Sequence, residues 1–329
     1  MIKKGIILAG GMGTRMSPLT KAVNKQLLPI YDKPLIYYPL SLLMLAKIKN
    51  ILIIVNKGQL SQFKKILPNG NNLGIKITYK EQDKPRGLPD AFILGEKFIE
   101  KDNVALILGD NFFYGQNLRS MLLKCSKLKK GAKILIHPVS NPELYGVAKL
   151  NNKKRIIALK EKPKKYISNF AVTGLYFFDN KVVNYAKKLK PSKRNELEII
   201  DLLKKYKNSK NLYADYVGRG GAWLDTGSID DFYKASSFVS AIESRQCLKI
   251  ACLEEIAQNN KWIGKKEINS SGTEIGDRDR ANKDLKTLIG FELIEKGIPR
   301  KGYKIFNKEK ELVGEIGRAS CRERVSTSV

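Results

Sequence analysis

The chain has 329 residues, enough for one large α/β domain or two modest ones, and its 61 Lys and Arg against 32 Asp and Glu give a formal charge of +29. The lysines are scattered among acidic and apolar positions with no aromatic-interleaved basic stripe, so a lysine-rich surface that attracts phosphate-bearing substrates is expected, not a nucleic-acid or membrane face. Cys125, Cys247, Cys252 and Cys321 lack C-x-x-C or metal-ligand spacing, and the longest apolar run, Leu35 to Ala46, is too short to cross a bilayer. Disulfides, structural zinc, a signal peptide and a membrane span are thus disfavoured, and a soluble cytoplasmic protein is expected.

The first predicted element is the apolar run Gly5-Ile6-Ile7-Leu8-Ala9, a buried strand that runs straight into Gly10, Gly11 and Gly13. Glycines there let the backbone aim N–H groups at phosphate oxygens, and Arg15 and Lys25 can neutralise those phosphates. Glycine turns after strands also commonly bind nothing, so the cluster alone decides little. A dinucleotide fingerprint is absent, because Met16 stands where its third glycine belongs and Asn56 and Lys57 follow the strand 51–55 in place of an acid. No Gly-Lys-Ser/Thr sequence completes a P-loop.

Strand signals at 5–9, 51–55, 75–79, 104–108 and 132–139 alternate with helical patterns, which predicts an α/β fold with a mainly parallel sheet covered on both faces. One helix is capped by Asn117, lined by Leu118, Met121, Leu122, Cys125 and Leu128, and stopped by Gly131. His137, the one histidine, falls inside the strand 132–139, where a packed role is expected and catalysis is not. From 140 to 225 the strands 147–150, 156–160, 172–178 and 212–217 are expected without regular helices between them, as in an inserted substrate-binding subdomain. Asp110 follows the strand 104–108 at the carboxyl edge of the sheet, and Asp225 lies between Trp223 and Gly227; each suits a turn cap or a metal ligand equally. Ser228, with Asp231 three residues on, caps a helix whose Phe232, Ala235, Val239 and Ile242 repeat at helical spacing. Composition then shifts: residues 1–267 hold 41 Lys and 7 Arg, whereas 268–329 hold 7 Lys and 6 Arg.

In order along the chain stand Gly10-Gly11-Met12-Gly13-Thr14-Arg15-Met16-Ser17-Pro18-Leu19-Thr20, Lys25-Gln26-Leu27-Leu28-Pro29, Gly109-Asp110-Asn111, Tyr145-Gly146-Val147, Glu161-Lys162-Pro163, Val172-Thr173-Gly174-Leu175-Tyr176 and Trp223-Leu224-Asp225-Thr226-Gly227. Together they resemble the glucose-1-phosphate thymidylyltransferases, also called dTDP-glucose pyrophosphorylases, over residues 3–267. The resemblance implies a Rossmann-like nucleotidyltransferase fold with an inserted sugar-binding subdomain. It divides the chain into a nucleotide-binding core at 1–139, a sugar-phosphate and metal-binding part at 140–227, and a C-terminal helical segment at 228–267.

It also implies a Mg²⁺-dependent enzyme that joins dTTP and α-D-glucose 1-phosphate into dTDP-glucose and pyrophosphate for deoxysugar synthesis such as that of rhamnose. UTP or another sugar 1-phosphate remains an alternative substrate. By the same resemblance, Leu8, Gly10, Gly11, Gly13 and Thr14 frame the triphosphate, and Arg15 and Lys25 brace the leaving pyrophosphate. Gln26 and Gln82 meet the deoxyribose and the thymine edge, where a Gln amide can pair with adjacent donor and acceptor atoms, and Gly87 leaves room for the base. Tyr145, Gly146, Glu161 and Val172 line the sugar pocket, Lys162 grips the sugar phosphate, and Asp110 and Asp225 hold the metal. Pro89 and Asp90 depart from the usual Ala-Gln of this family, which bears on thymidine against uridine preference.

No histidine base is required, because the attacking sugar phosphate is already an anion and the leaving pyrophosphate needs charge neutralisation more than a proton. A homotetramer with a regulatory nucleotide site between subunits is implied as well. The segment 268–329 reads as a non-native, chimeric tail that impairs such an assembly. Within it, 284–314 resembles a fragment of the glycine-cleavage aminomethyltransferase, and 315–325 resembles a translated sequencing adaptor.

Overall fold

The computed structural model describes residues 1–246, 248–264, 303–306 and 312–316. The chain divides into two compact units, Met1–Gly264 and Lys265–Val329. In chain order the first unit opens with β1 (Lys4–Ala9), β2 (Pro29–Ile30), β3 (Lys33–Pro34), α1 (Tyr37–Leu45), β4 (Asn50–Asn56), α2 (Leu60–Ile66) and β5 (Lys76–Gln82). It continues with α3 (Asp90–Leu94), α4 (Glu96–Ile99), β6 (Val104–Leu108), β7 (Asn111–Gly115), α5 (Leu118–Ser126), β8 (Ala132–Pro138), β9 (Gly146–Leu150) and β10 (Ile156–Glu161). It closes with β11 (Phe170–Phe178), α6 (Val182–Lys187), α7 (Ile199–Asn208), β12 (Leu212–Tyr216), β13 (Gly221–Asp225), α8 (Ile229–Gln246) and α9 (Leu253–Asn259). In the second unit, β14 (Tyr303–Phe306) and β15 (Leu312–Ile316) form an antiparallel pair. Apart from those strands, the segments likened to an aminomethyltransferase and to an adaptor lie outside the described residues, as does Cys247.

β1 is the axis of the first unit, pairing in parallel with β4 on one side and β6 on the other. Its Ile7 and Ala9 enter one core while Ile6 and Leu8 meet the second, and β4 and β6 alternate in the same way. A strand buried on both faces reads as a continuous apolar run, which is why these three were legible. The sheet runs β10-β9-β11-β6-β1-β4-β5, with β8 also against β11 and β12 against β8. The strands expected beyond residue 140 therefore join the same sheet, and β11 runs antiparallel to β6, β8 and β9. Because the chain turns outward on both sides of β1, the switch point of the parallel part lies there, where open α/β sheets place ligands.

Two helices, α6 and α7, stand between β11 and β12, where none was expected. The cause is visible in α7: Ile199, Ile200, Leu202, Leu203 and Tyr206 repeat at helical spacing, and all are buried in the second core. The 118–131 reading also needs correction. Asn117 occupies the N-cap position without a side-chain capping bond, and α5 ends at Ser126. Gly131, at φ +89°, makes the turn into β8, and its N–H donates to Asp179 Oδ2 at 2.7 Å. The Ser228 cap holds: Asp231 N–H donates to Ser228 Oγ at 3.1 Å, and the hydroxyl donates to Asp231 Oδ2 at 2.6 Å. α8 then packs Ala235 and Val239 onto Ile30, Leu35, Tyr38 and Phe112. Among the described residues no helix is long and apolar enough to cross a membrane.

Candidate functional site

β1, β4, β5 and β6 all end at one edge of the sheet, and their C-terminal residues or the loops after them carry most of the predicted nucleotide-site residues. Leu8 closes the edge from beneath, its carbonyl accepting Gly109 N–H at 2.9 Å, before the chain breaks into the glycine loop. Gly13 needs its left-handed φ of +62°, and Thr20 Oγ1 donates to its carbonyl at 2.8 Å. Thr14 starts a single 3₁₀ turn through Met16 and is exposed. Arg15 reaches across to the β13–α8 loop, where a Cβ on Gly227 would stand 3.0 Å from its Nη2.

Lys25 and Gln26 occupy a second 3₁₀ turn and are both buried. Lys25 Nζ meets Asp110 Oδ2 at 2.9 Å, while Gln26 Oε1 is buried with no hydrogen-bond partner. Gln82 ends β5 and is buried, and its Nε2 donates to Gly10 O at 2.6 Å and Asn56 Oδ1 at 3.1 Å. Both its N–H groups are thereby engaged by protein, so Gln82 keeps only an acceptor oxygen for a ligand, not the donor–acceptor pair expected. Gly87 also differs in its cause: at φ +99°, a Cβ would stand 2.2 Å from Leu197 O, so the glycine is required by that backbone approach.

Asp110 and Asp225 are brought together by a pairing between distant segments. β7 and β13 form an antiparallel ladder in which Asn111 faces Asp225, and Thr226 donates to Asp110 O through N–H at 3.1 Å and Oγ1 at 2.9 Å. Burial, then the neighbouring Asp110 charge, pushes the Asp225 carboxyl up to about 7 against the pull of Lys25 and Arg15. At Asp110 burial also opposes ionisation, but the Lys25 charge and hydrogen bonds from Lys25 and Asn111 outweigh it and hold the carboxyl below its ordinary range. A carboxylate pair with such mutual repulsion suits a divalent cation. Among the described residues no group of three or more His, Cys, Asp or Glu could hold a metal. Two carboxylates that leave further positions to substrate phosphates fit Mg²⁺ better than an all-protein cage would.

The sugar-end residues lie on β9, β10 and the segments beside them. Gly146 faces Glu161 in the β9–β10 ladder, and a Cβ on Gly146 would stand 2.7 Å from Ile200 Cδ1. Burial and then the Glu198 charge raise the Glu161 pKa, with Arg194 Nη2 3.5 Å away pulling it down. Lys162 is exposed and held at φ +38°, its N–H donating to Tyr145 O at 3.0 Å; such strain in a non-glycine residue clusters at functional sites. Val172 is buried in the second core opposite Ile136, so its side chain packs the sheet.

Asn111, Trp223 and Arg194, to which the sequence assigns no role, connect these parts. Asn111 Oδ1 accepts from Gly174 N–H at 2.9 Å and Trp223 Nε1 at 2.6 Å, and its Nδ2 donates to Asp110 Oδ1 at 3.0 Å. Trp223 stands edge-on to Tyr145, ring centroids 5.2 Å apart, which joins the sugar end to the acidic pair. His137 also stands edge-on to Trp223, ring centroids 6.3 Å apart, and burial lowers its pKa against a hydrogen bond with the Val217 backbone. Arg194, exposed on the loop before α7, also donates to Glu198 Oε2 at 2.7 Å. Only proximity in the motifs, Asn111 after Asp110 and Trp223 before Asp225, signalled the first two.

This doubly wound sheet, with a glycine loop, Arg15, Lys25 and the Asp110–Asp225 pair gathered at one edge, is that of a nucleotidyltransferase. The nucleotidyl transferase family model matches residues 4–242. The chain is 50% identical over 265 residues to a glucose-1-phosphate thymidylyltransferase of Neisseria meningitidis serogroup A, a match covering 80% of this chain and 92% of that protein. It is 49% identical over 287 residues to one from Neisseria gonorrhoeae, covering 87% and 99% respectively, so that match extends beyond Glu267. Within the nucleotidyltransferases the chain belongs to the glucose-1-phosphate thymidylyltransferase family. A Bacillus anthracis structure assigned to that enzyme, in complex with sucrose, superimposes with a TM-score of 0.67 at 40% identity, covering 71% of this chain and 94% of that one. A UDP-glucose pyrophosphorylase complexed with UDP-glucose gives 0.65 at 28% identity, covering 74% and 100%.

Proposed function

We propose that this protein transfers the thymidylyl group of dTTP to α-D-glucose 1-phosphate, releasing pyrophosphate and forming dTDP-glucose for deoxysugar synthesis such as that of dTDP-rhamnose. The observation that carries the reading is the Asp110–Asp225 pair with Lys25 at 2.9 Å from Asp110, on the sheet edge beside the glycine loop. Asp110 and Asp225 would hold Mg²⁺, which when bound offsets phosphate charge. Arg15 and Lys25 brace the departing pyrophosphate, and Lys162 holds the phosphate of the incoming sugar in line with the α-phosphorus. Glu161, paired with Gly146 across β9–β10 and 3.5 Å from Arg194, presents carboxyl oxygens that suit sugar hydroxyls. Gln26, whose Oε1 has no hydrogen-bond partner, suits the deoxyribose hydroxyl. The free Gln82 oxygen suits the N3–H shared by thymine and uracil, which cytosine lacks.

The 28% identical UDP-glucose pyrophosphorylase neighbour, together with Pro89 and Asp90 at the start of α3, keeps UTP as the competing substrate. Pyrophosphate release measured with dTTP, UTP and CTP, each with and without glucose 1-phosphate, tests the reading. Release is expected with dTTP, more slowly with UTP and not with CTP, and only when the sugar phosphate and Mg²⁺ are present. Equal rates with CTP, or release without sugar phosphate, would contradict it. A cytoplasmic homotetramer belongs to the same reading, and light scattering of the purified chain tests the assembly.

A further inference from the structure

Where β1 breaks into the glycine loop, three successive backbone carbonyls are each held by a side-chain amide. Ala9 O accepts from Asn24 Nδ2 at 3.1 Å, Gly10 O from Gln82 Nε2 at 2.6 Å, and Gly11 O from Asn56 Nδ2 at 3.3 Å. A carbonyl can only accept, so each of these amides must present its NH₂ group, and their orientations follow. The remaining amide atoms interlock. Asn56 Oδ1 takes the second N–H of Gln82 at 3.1 Å, and Asn24 Nδ2 also donates to Gln59 Oε1 at 2.6 Å. Asn24 Oδ1 accepts from Gln26 N–H at 2.9 Å and so caps the turn carrying Lys25.

In the same loop the amide N–H groups of Gly11, Met12 and Gly13 meet no backbone acceptor among the described residues. A Cβ on Gly11 would have no atom within 4 Å, so the space before the loop is open. Carbonyls held by side chains and N–H groups left without acceptors are what an anion requires of a backbone cradle.

We propose that Asn24, Asn56 and Gln82 are positioning residues that fix the glycine loop with its N–H groups facing the β- and γ-phosphates of the nucleotide. Gln82 ends the same network with its acceptor oxygen free, so contact with the base and the set of the phosphate loop act through one side chain. The proposal rests on the nucleotide reading above, and the test separates the two. The full chain and its Asn56→Ala and Asn24→Ser variants are titrated calorimetrically with dTTP and with dTMP, which lacks the β- and γ-phosphates. Serine at 24 keeps a cap for the Gln26 N–H while removing the bonds to Ala9 and Gln59.

Each variant is expected to weaken dTTP binding on the order of tenfold, the effect of freeing one held carbonyl, while dTMP affinity stays within about threefold. Proportional loss of dTTP and dTMP binding would show a merely structural role and overturn the proposal, as would unchanged dTTP binding. If Asn56→Ala does not fold, Asn24→Ser carries the same readout. Wild-type protein that binds neither nucleotide would instead overturn the functional reading itself.

Discussion

Asp225→Asn is expected to stabilise the metal-free protein while disabling it. In the folded chain the Asp225 proton leaves at about 7, against an ordinary value of 3.8, because burial and the Asp110 charge both resist ionisation. A gap of that size corresponds to about 4 kcal/mol, and partial screening by solvent reduces it to about 2 kcal/mol. Since folding raises this pKa, its contribution to stability is complete below pH 3.8 and is lost as pH rises through about 7. Asparagine at 225 cannot ionise and keeps a neutral side chain of the same size. In the presence of chelator the variant should therefore melt about 5 °C above wild type at pH 8, with the difference shrinking toward pH 4. Mg²⁺ added to wild type should narrow the gap, because a cation favours the ionised carboxylate. Turnover should fall on the order of 10²-fold or more, since a full charge leaves the metal–phosphate cluster. Scanning calorimetry at the two pH values and a pyrophosphate-release assay measure both halves. A variant no more stable than wild type at pH 8, or one with wild-type turnover, would refute the electrostatic account.

Other outcomes follow from the same geometry. Lys25→Met removes the cation 2.9 Å from Asp110 and should lower turnover on the order of 10²- to 10³-fold; Lys25 depresses the Asp110 pKa, so the acidic limb of the pH–rate profile should move to higher pH. An unmoved acidic limb would show that Asp110 does not depend on Lys25. Ser228→Ala removes the cap of α8 and should cost about 1 kcal/mol in urea denaturation with kinetics little changed. A chain ending at Glu267, close to the division at Gly264, should keep its melting transition and most of its turnover; loss of folding would show that the segment beyond belongs to the working enzyme.

The parts of the fold that were legible are those whose signal is local. β1, β4 and β6 are unbroken apolar runs, and the Ser228 cap with its Ala235 and Val239 spacing is written within one helix. β7 and β13 were not legible, because Asn111–Gly115 and Gly221–Asp225 become strands only by pairing with each other across distant sequence. That pairing sets Asp225 against Asn111, so the sequence could propose the two carboxylates but not the ladder that joins them. α7 carries a readable pattern in Ile199, Leu202, Leu203 and Tyr206, but the sugar-site motifs on either side of it point to a loop-rich region instead. Gly87 is required by the approach of the Leu197 backbone, a contact between distant segments that no local pattern shows. Asn24 and Asn56 show nothing in sequence, since a buried amide is identified only by the carbonyl it meets.

The central claim is that the bond broken joins the α- and β-phosphates of dTTP, with glucose 1-phosphate as the acceptor. Two reactions with Mg²⁺ test it directly, one with dTTP labelled at the α-phosphorus and one with the label at the γ-phosphorus, their products separated and identified by mass. The account predicts the α-label in dTDP-glucose and the γ-label in pyrophosphate, with no free phosphate. Appearance of the γ-label in free phosphate or on the sugar, or of the α-label anywhere but the sugar nucleotide, would contradict it.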